Sequence, residues 1–146
     1  MSPAPPLAGI LETAVYVDDL ARAHAFYHGI VGLERMVAGD RLFAYDAAPG
    51  ETLLVFLRGA TRDDVPTGGG VVPGHHSEGP SHFSFKIAPE HLEAWRAHLG
   101  ACGVAITSEV TWPAGGTSLY VEDPDGNVVE FAAPPLWPNF PGEAGA

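Results

Sequence analysis

The chain has 146 residues, 46% hydrophobic and 17% charged, enough for one folded domain with a core and too apolar for a disordered chain. Seven Lys and Arg stand against 18 Asp and Glu, a formal charge of −11. Phosphate contacts from basic side chains dominate nucleic-acid affinity, so this balance excludes nucleic acid as a partner and argues against anionic membrane surfaces.

Residues 1–9 carry neither a basic region nor an apolar stretch of signal-peptide length. No apolar run further on approaches the roughly 20 residues of a membrane span, so the expectation is a cytoplasmic protein. Residues 10–17 are rich in β-branched and aromatic side chains and read as a strand. Asp18 or Asp19 then caps a helix in which Leu20, Ala23, Phe26 and Tyr27 recur at helical spacing. Gly29 and Gly32 stop it. Residues 42–45 and 52–57 read as strands divided by the turn Pro49-Gly50. Residues 59–80, with Gly68-Gly69-Gly70 and Pro73-Gly74-His75-His76, have the composition of a loop. Loops of this length are often lids or binding segments, so His75 and His76 are either solvated or cover a site.

A second series begins at His82-Phe83-Ser84-Phe85-Lys86-Ile87, an alternating strand. Ala88-Pro89-Glu90 opens a helix with the apolar stripe Leu92, Trp95 and Leu99, closed by Gly100 and Gly103. The lone Cys102, without a disulfide or zinc partner, reads as a small buried hydrophobe at the helix end or as a reactive thiol. Strands follow at 104–106, 118–121 and 128–131, the last two joined by the turn Asp123-Pro124-Asp125-Gly126-Asn127. The segment from Pro134 onward is rich in Pro and Gly but carries Leu136, Trp137 and Phe140. It reads as a surface extension, a flap over a pocket, or a subunit contact.

The two series match in order. Glu12 and His82 align at an offset of 70, as do Val15 with Phe85 and Val17 with Ile87; Gly32 aligns with Gly103 at 71. Phe56 is matched to Phe131, which sets Val55 against Glu130. The expected fold is α+β: one domain with an internal duplication of two tandem βαβββ modules, about 9–58 and 81–133, a linker over 59–80 and a tail from 134 to 146.

Alternation along the strands puts Glu12, Ala14 and Tyr16 on one face, His82, Ser84 and Lys86 on another, and Val128 with Glu130 on a third. Each opposes an apolar face. Glu12, His82 and Glu130 thus occupy equivalent or complementary places in the repeats. Two carboxylates and an imidazole in one cavity are costly to bury without a cation, which a divalent metal ion would supply. Three protein ligands with open positions make a catalytic rather than a structural site. Tyr120 is a candidate donor to a developing oxyanion. Tyr16 and Lys86 are candidate pocket residues, while His24, His28, His91 and His98 fall on helices where exposure explains them.

Glu12-Thr13-Ala14-Val15-Tyr16-Val17-Asp18-Asp19-Leu20, with Ala25-Phe26-Tyr27 and Gly32-Leu33, resembles the opening module of the vicinal-oxygen-chelate superfamily of glyoxalases, bleomycin-resistance proteins and extradiol dioxygenases. His82-Phe83-Ser84-Phe85 resembles the start of its second module. Leu119-Tyr120-Val121-Glu122-Asp123-Pro124-Asp125-Gly126-Asn127-Val128-Val129-Glu130 is similar to its closing hairpin, and the likeness spans about residues 9–132. The resemblance implies curved mixed sheets around a metal pocket, with ligands from the first and last strand of each module. Those positions here are Glu12, Val55, His82 and Glu130. Valine binds no metal, which leaves Glu12, His82 and Glu130 as the metal ligands, with Glu12 where many members have His. The implied cofactor is a divalent ion, Fe, Mn, Ni, Zn or Mg, and two carboxylates shift the preference toward Mn, Fe(II) or Mg relative to a two-His site.

Two functions follow. One is a metal-dependent enzyme chelating vicinal oxygens of a small-molecule substrate or enolate, with Glu12 or Glu130 as base and Tyr120 as donor. The other is a metal-free sequestration protein of the bleomycin-resistance type, its groove lined by Trp112, Trp137, Phe43 and Tyr120. The resemblance further implies a homodimer, with the pocket either within one chain or completed by a second subunit; in the latter case Glu12 of one chain meets His82 and Glu130 of the other.

Overall fold

The computed structural model describes residues 2–141. Strand β1 (Glu12–Val17) is followed by α1 (Leu20–Tyr27), β2 (Glu34–Ala38), β3 (Leu42–Ala48) and β4 (Glu51–Leu57). The linker contains a short hairpin, β5 (Val65–Thr67) and β6 (Gly70–Val72). The first order then recurs: β7 (His82–Lys86), a 3-10 turn (Pro89–His91) running into α2 (Leu92–Ala101), β8 (Ser108–Thr111), β9 (Thr117–Glu122) and β10 (Val128–Ala133). Each series builds a four-stranded sheet, β1-β4-β3-β2 and β7-β10-β9-β8. In both, the first and last strands pair in parallel and the others antiparallel. This is an α+β fold of two βαβββ modules with curved mixed sheets.

Local chemistry accounts for most boundaries. Of the two aspartates before α1, Asp19 is the cap, its carboxylate accepting the Arg22 N–H at 2.9 Å. Past each helix the chain turns at a glycine of positive φ, Gly32 (+86°) and Gly103 (+74°), where a side chain would be strained. The strand expected at 104–106 lies instead at Ser108–Thr111, while Val104 and Ile106 pack against the core from irregular chain. β2, which had not been singled out, is exposed along its whole length. Both missed strands are sheet edges, and an edge with little burial carries little hydrophobic pattern for a sequence to show.

One hydrophobic cluster serves both modules. Val15, Val17, Leu53 and Val55 of the first sheet meet Phe83, Ile87, Leu119, Val121, Val129 and Phe131 of the second. Helix α1 contributes Phe26 and Tyr27, and α2 contributes Leu99, with Trp95 stacked on Phe131 at 4.7 Å between centroids. Cys102, at the end of α2, is exposed rather than buried. Since side chains alternate along a strand, burying this face of each sheet leaves Glu12, Ala14 and Tyr16 on the other face of the first, and His82, Ser84, Lys86 and Glu130 on the other face of the second.

The turn Asp123-Pro124-Asp125-Gly126-Asn127 fastens the modules together. Asp123 accepts the backbone N–H groups of Asp125 and Asn127, both at 2.9 Å, and the Tyr27 hydroxyl at 2.7 Å. The Asn127 amide donates to the Tyr16 carbonyl at 3.2 Å. Asp125 accepts the Asp18 N–H at 2.9 Å and pairs with Arg22 at 3.0 Å. Burial, and then the neighbouring Asp123 carboxylate, push the Tyr27 phenol far above its ordinary pKa, so it stays a hydroxyl donor.

Candidate active site

The parallel pairing of first and last strands puts His82 and Glu130 together. β7 and β10 run side by side with His82 opposite Val128 and Ser84 opposite Glu130, and Tyr120 of β9 flanks Glu130 on its other side. The His82 Nδ1 lies 3.0 Å from the Val128 carbonyl oxygen. A carbonyl only accepts, so Nδ1 carries the hydrogen and Nε2 faces the cavity. There Nε2 stands 3.3 Å from Glu130 Oε1. In neutral imidazole both atoms are acceptors, and they converge only around a shared cation, either a proton or a metal ion.

Glu130 is 5% exposed. Its Oε2 accepts the Ser118 hydroxyl, whose oxygen in turn accepts the Trp112 Nε1–H at 2.8 Å. The chain from Trp112 through Ser118 to Glu130 fixes the carboxylate and leaves Oε1 turned to His82. Tyr120 lies beside them, its ring 6.1 Å from that of His82. Burial, then the Glu130 carboxylate, hold its phenol above the usual range and in the donor form.

These groups open on a cavity of about 500 Å³, lined also by Lys86, Ala132 and the tail residues Leu136, Trp137, Asn139 and Phe140. The tail is thus a roof over the second sheet, one of the three readings open to the sequence; residues 142–146 lie outside the described residues. Its seating depends on Gly116, whose N–H donates to the Pro135 carbonyl at 2.9 Å. A Cβ there would stand 2.4 Å from the carbonyl oxygens of Ala133 and Pro135. Ser118 and the Trp112 indole N–H went unnoticed in the sequence, and only their cross-strand placement reveals them.

Glu12 lies elsewhere. It borders a second cavity with Ile10, Leu11, Glu51 and Thr52. The two cavities adjoin at Ser84 and Lys86, which line both. Among the described residues no three His, Cys, Asp or Glu side chains come close enough to hold a metal ion. One chain therefore brings His82 and Glu130 together but does not bring Glu12 to them.

The match of Val55 to Glu130 also needs correction. Glu12 pairs with Thr52, whereas His82 pairs with Val128. With Glu12 in the place of His82, Leu54 takes the place of Glu130, and Val55 that of Phe131. Val55 is fully buried in the core opposite Val15, on the wrong face for a ligand. A one-residue slip in a strand exchanges its faces. The position remains apolar, so the first module still lacks the carboxylate.

Other candidates sort by face. Lys86, Trp112, Trp137 and Tyr120 line the first cavity. Phe43 does not: it points to the core side of its sheet, with the Arg35 guanidinium 4.6 Å above its ring. Tyr16 lies on the open face of the first sheet, and the linker covers it there. Its hydroxyl bonds His75 Nδ1, and the His75 ring sits 4.6 Å from that of Phe56. His75 and His76 are partly buried and remote from the His82 site, so they cover a face but not the one that holds the pair. His24 is also structural, its Nδ1 bonded to the Tyr45 hydroxyl at 2.8 Å.

The family model described as Glyoxalase/Bleomycin resistance protein/Dioxygenase superfamily matches residues 9–131. The chain belongs to this superfamily. A lactoylglutathione lyase from Agrobacterium tumefaciens is 30% identical, with 93% of this chain and 100% of that one covered and a TM-score of 0.83. A glyoxalase/dioxygenase from Nostoc punctiforme, at 21% identity, covers 92% of this chain and 97% of its own with a TM-score of 0.67. The fosfomycin resistance protein FosX from Listeria monocytogenes, at 20% identity, covers 90% and 97% with a TM-score of 0.64. At those two identities the likeness is one of fold. No curated protein matches by sequence. Among the described residues no helix is long and apolar enough to cross a membrane.

Proposed function

We propose that the protein is a small-molecule enzyme of the glyoxalase type, working in the cavity over its second sheet. The observation that carries this is the convergence of His82 Nε2 and Glu130 Oε1 at 3.3 Å, with Glu130 buried and each partner held by its own hydrogen bond. Structural histidine–carboxylate pairs have no need of such a wired, cavity-facing arrangement. In the proposed reaction Glu130 takes the proton from a hydroxyl-bearing carbon beside a substrate carbonyl and returns it to the carbonyl carbon, while the hydroxyl proton passes to the former carbonyl oxygen, so that one carbonyl forms as the other becomes a hydroxyl. His82 shares the charge of that carboxylate, and Tyr120 donates its hydroxyl to the oxygen on which negative charge develops.

The same pair forms half of a site for a divalent ion, Mn, Fe, Ni, Zn or Mg. Such an ion would polarise adjacent substrate oxygens and lower the cost of an enolate. The third ligand in this reading is Glu12 of a second copy, since Glu12 borders a neighbouring cavity in its own chain. The protein then works as a homodimer whose sites lie between chains. The aromatic cavity supports a second reading, sequestration of a small molecule without metal, because Trp112, Trp137 and Phe140 form a lining that binding alone would need.

Metal content of protein purified without added metal, measured with turnover of lactoylglutathione and related 2-hydroxy thioesters, separates these. The enzyme reading expects bound divalent metal, turnover lost to a chelator, and loss of both in His82→Ala and Glu130→Gln. Mixed Glu12→Ala and His82→Ala chains should regain activity once the subunits exchange. Full turnover in metal-free protein would sink the metal part, and tight binding without turnover of any such compound would favour sequestration.

A further inference from the structure

Lys86 is the chain's single lysine and the only Lys or Arg lining the first cavity. Arg22, Arg58, Arg62 and Arg96 are each paired with a carboxylate, and Arg35 lies over the Phe43 ring. Lys86 makes no ion pair or side-chain hydrogen bond among the described residues. Arg41 likewise makes no ion pair or side-chain hydrogen bond among the described residues but lines neither cavity, so in a chain of formal charge −11 Lys86 is the unengaged cation that stands at a cavity wall. Glu12 and Glu51 line the adjoining cavity, which Lys86 also borders, yet neither is within ion-pair distance of it.

Its placement relative to the acid–base pair is fixed by the strand. His82 and Lys86 share one face of β7, four residues or about 13 Å apart along the backbone, with Ser84 between them. The walls of the same cavity are apolar: Trp112 from the β8–β9 loop, and Leu136, Trp137 and Phe140 from the tail. Glu130 lies in the row of Ser84, while Lys86 shares its row with Ala132 and Ser118, whose hydroxyl accepts the Trp112 indole N–H. The cavity therefore has an acid–base end at His82 and Glu130 and, at the other end, a single cation with the aromatic walls beside it. A ligand with one negative group gains a charge-assisted contact at Lys86. A second negative group would meet no further cation and would face Glu130.

We propose that this cavity takes a small monoanionic organic acid with a flat apolar body, its carboxylate on Lys86, its body against Trp112 and the tail aromatics, and its reactive end at His82 and Glu130. This rests on the proposal that the His82–Glu130 cavity is the working one, but it concerns binding and needs neither metal nor turnover. Lys86 is then the residue that selects the charge of the substrate.

The test is titration of the purified full chain followed by tryptophan fluorescence, because Trp112 and Trp137 line the cavity. The probes are 4-phenylbutanoate, its neutral amide 4-phenylbutanamide, and phenylsuccinate as a dianion of similar body. The acid is expected to bind about tenfold or more tighter than the amide, and tighter than the dianion. Lys86→Gln should erase the preference of acid over amide, and Lys86→Arg should retain it. Because Lys86 is exposed and on the open face, these variants keep the fold, which circular dichroism checks. Equal binding of acid and amide by the unaltered protein, a preference that survives Lys86→Gln, or no fluorescence response to any probe would each overturn the proposal. A metal-free protein that prefers the acid would sink the metal reading and leave this one standing. Equal binding by a metal-loaded, active protein would do the reverse.

Discussion

The open faces of the two sheets are built from the same strands in the same order and have opposite fates. On the second sheet a histidine and a buried carboxylate meet under an aromatic roof, leaving a cavity of about 500 Å³. On the first sheet the equivalent positions hold Glu12 and Leu54, and the linker folds back so that His75 fills the space over Tyr16 and Phe56. The core faces behind them are alike and merge into one cluster. Duplication thus preserved the half of each module that holds the fold, while the open faces diverged, one into the His82–Glu130 cavity and the other into a face partly covered by the linker. The constraint differs by face: packing behind the sheets demands apolar volume in both modules, whereas the open face is free wherever no chemistry is required of it.

That contrast can be broken at defined points. The largest effect is expected from Glu130→Leu, which gives the second module the residue of the first. Turnover should fall by about a hundredfold or more with the fold retained, measured as steady-state rate beside a thermal melt. Leu53→Ala and Leu119→Ala remove equivalent volume from the two sheets, both nearly or fully buried. Each should cost about 2–5 kcal/mol in urea denaturation. Both should unfold in one transition, since the two sheets share a core; separate transitions would show that the modules fold independently.

Tyr27→Phe cuts a bond between modules and should cost about 1–2 kcal/mol at neutral pH. It also tests a pH dependence. Burial holds the folded-state pKa of Tyr27 above its unfolded value of about 10, so this contribution is fully present below pH 10. Above it the unfolded chain loses the proton and the folded one keeps it, and stability declines by about 1.4 kcal/mol per pH unit. Tyr45, pushed up to about 12 by burial, adds in the same direction until pH 12. The fall in stability between pH 10 and 11 should be shallower in Tyr27→Phe. The smallest effect is expected from His75→Ala, about 1 kcal/mol or less of stability and an unchanged rate, which would confirm that the first face is only covered.

Much of the site was legible because it is carried by local signals. Strand alternation placed His82 and Glu130 on one kind of face, and the closing turn fixed the register of Glu130 against Tyr120; the parallel pairing of β7 with β10, which no local signal marks, brings His82 to Glu130. The same turn is also a clasp through Asp123, Asp125 and Asn127, a role that depends on partners about a hundred residues distant and so leaves no local trace. The error at Val55 has a related origin. The two modules differ in length between helix and last strand, and matching Phe56 to Phe131 by residue type slipped the register by one. Only the paired strands could correct it.

The sequence by itself determined the duplication, the α+β class, the ends of the helices, and the faces on which His82 and Glu130 stand, because capping, glycine turns and strand alternation are properties of neighbouring residues. Tertiary structure alone decided which face each loop covers: the tail roofs the second sheet, the linker covers Tyr16 and Phe56 of the first, and within one chain Glu12 borders a cavity of its own. Those outcomes rest on contacts between segments far apart in the chain, where no local preference speaks and only the packing of the whole molecule chooses.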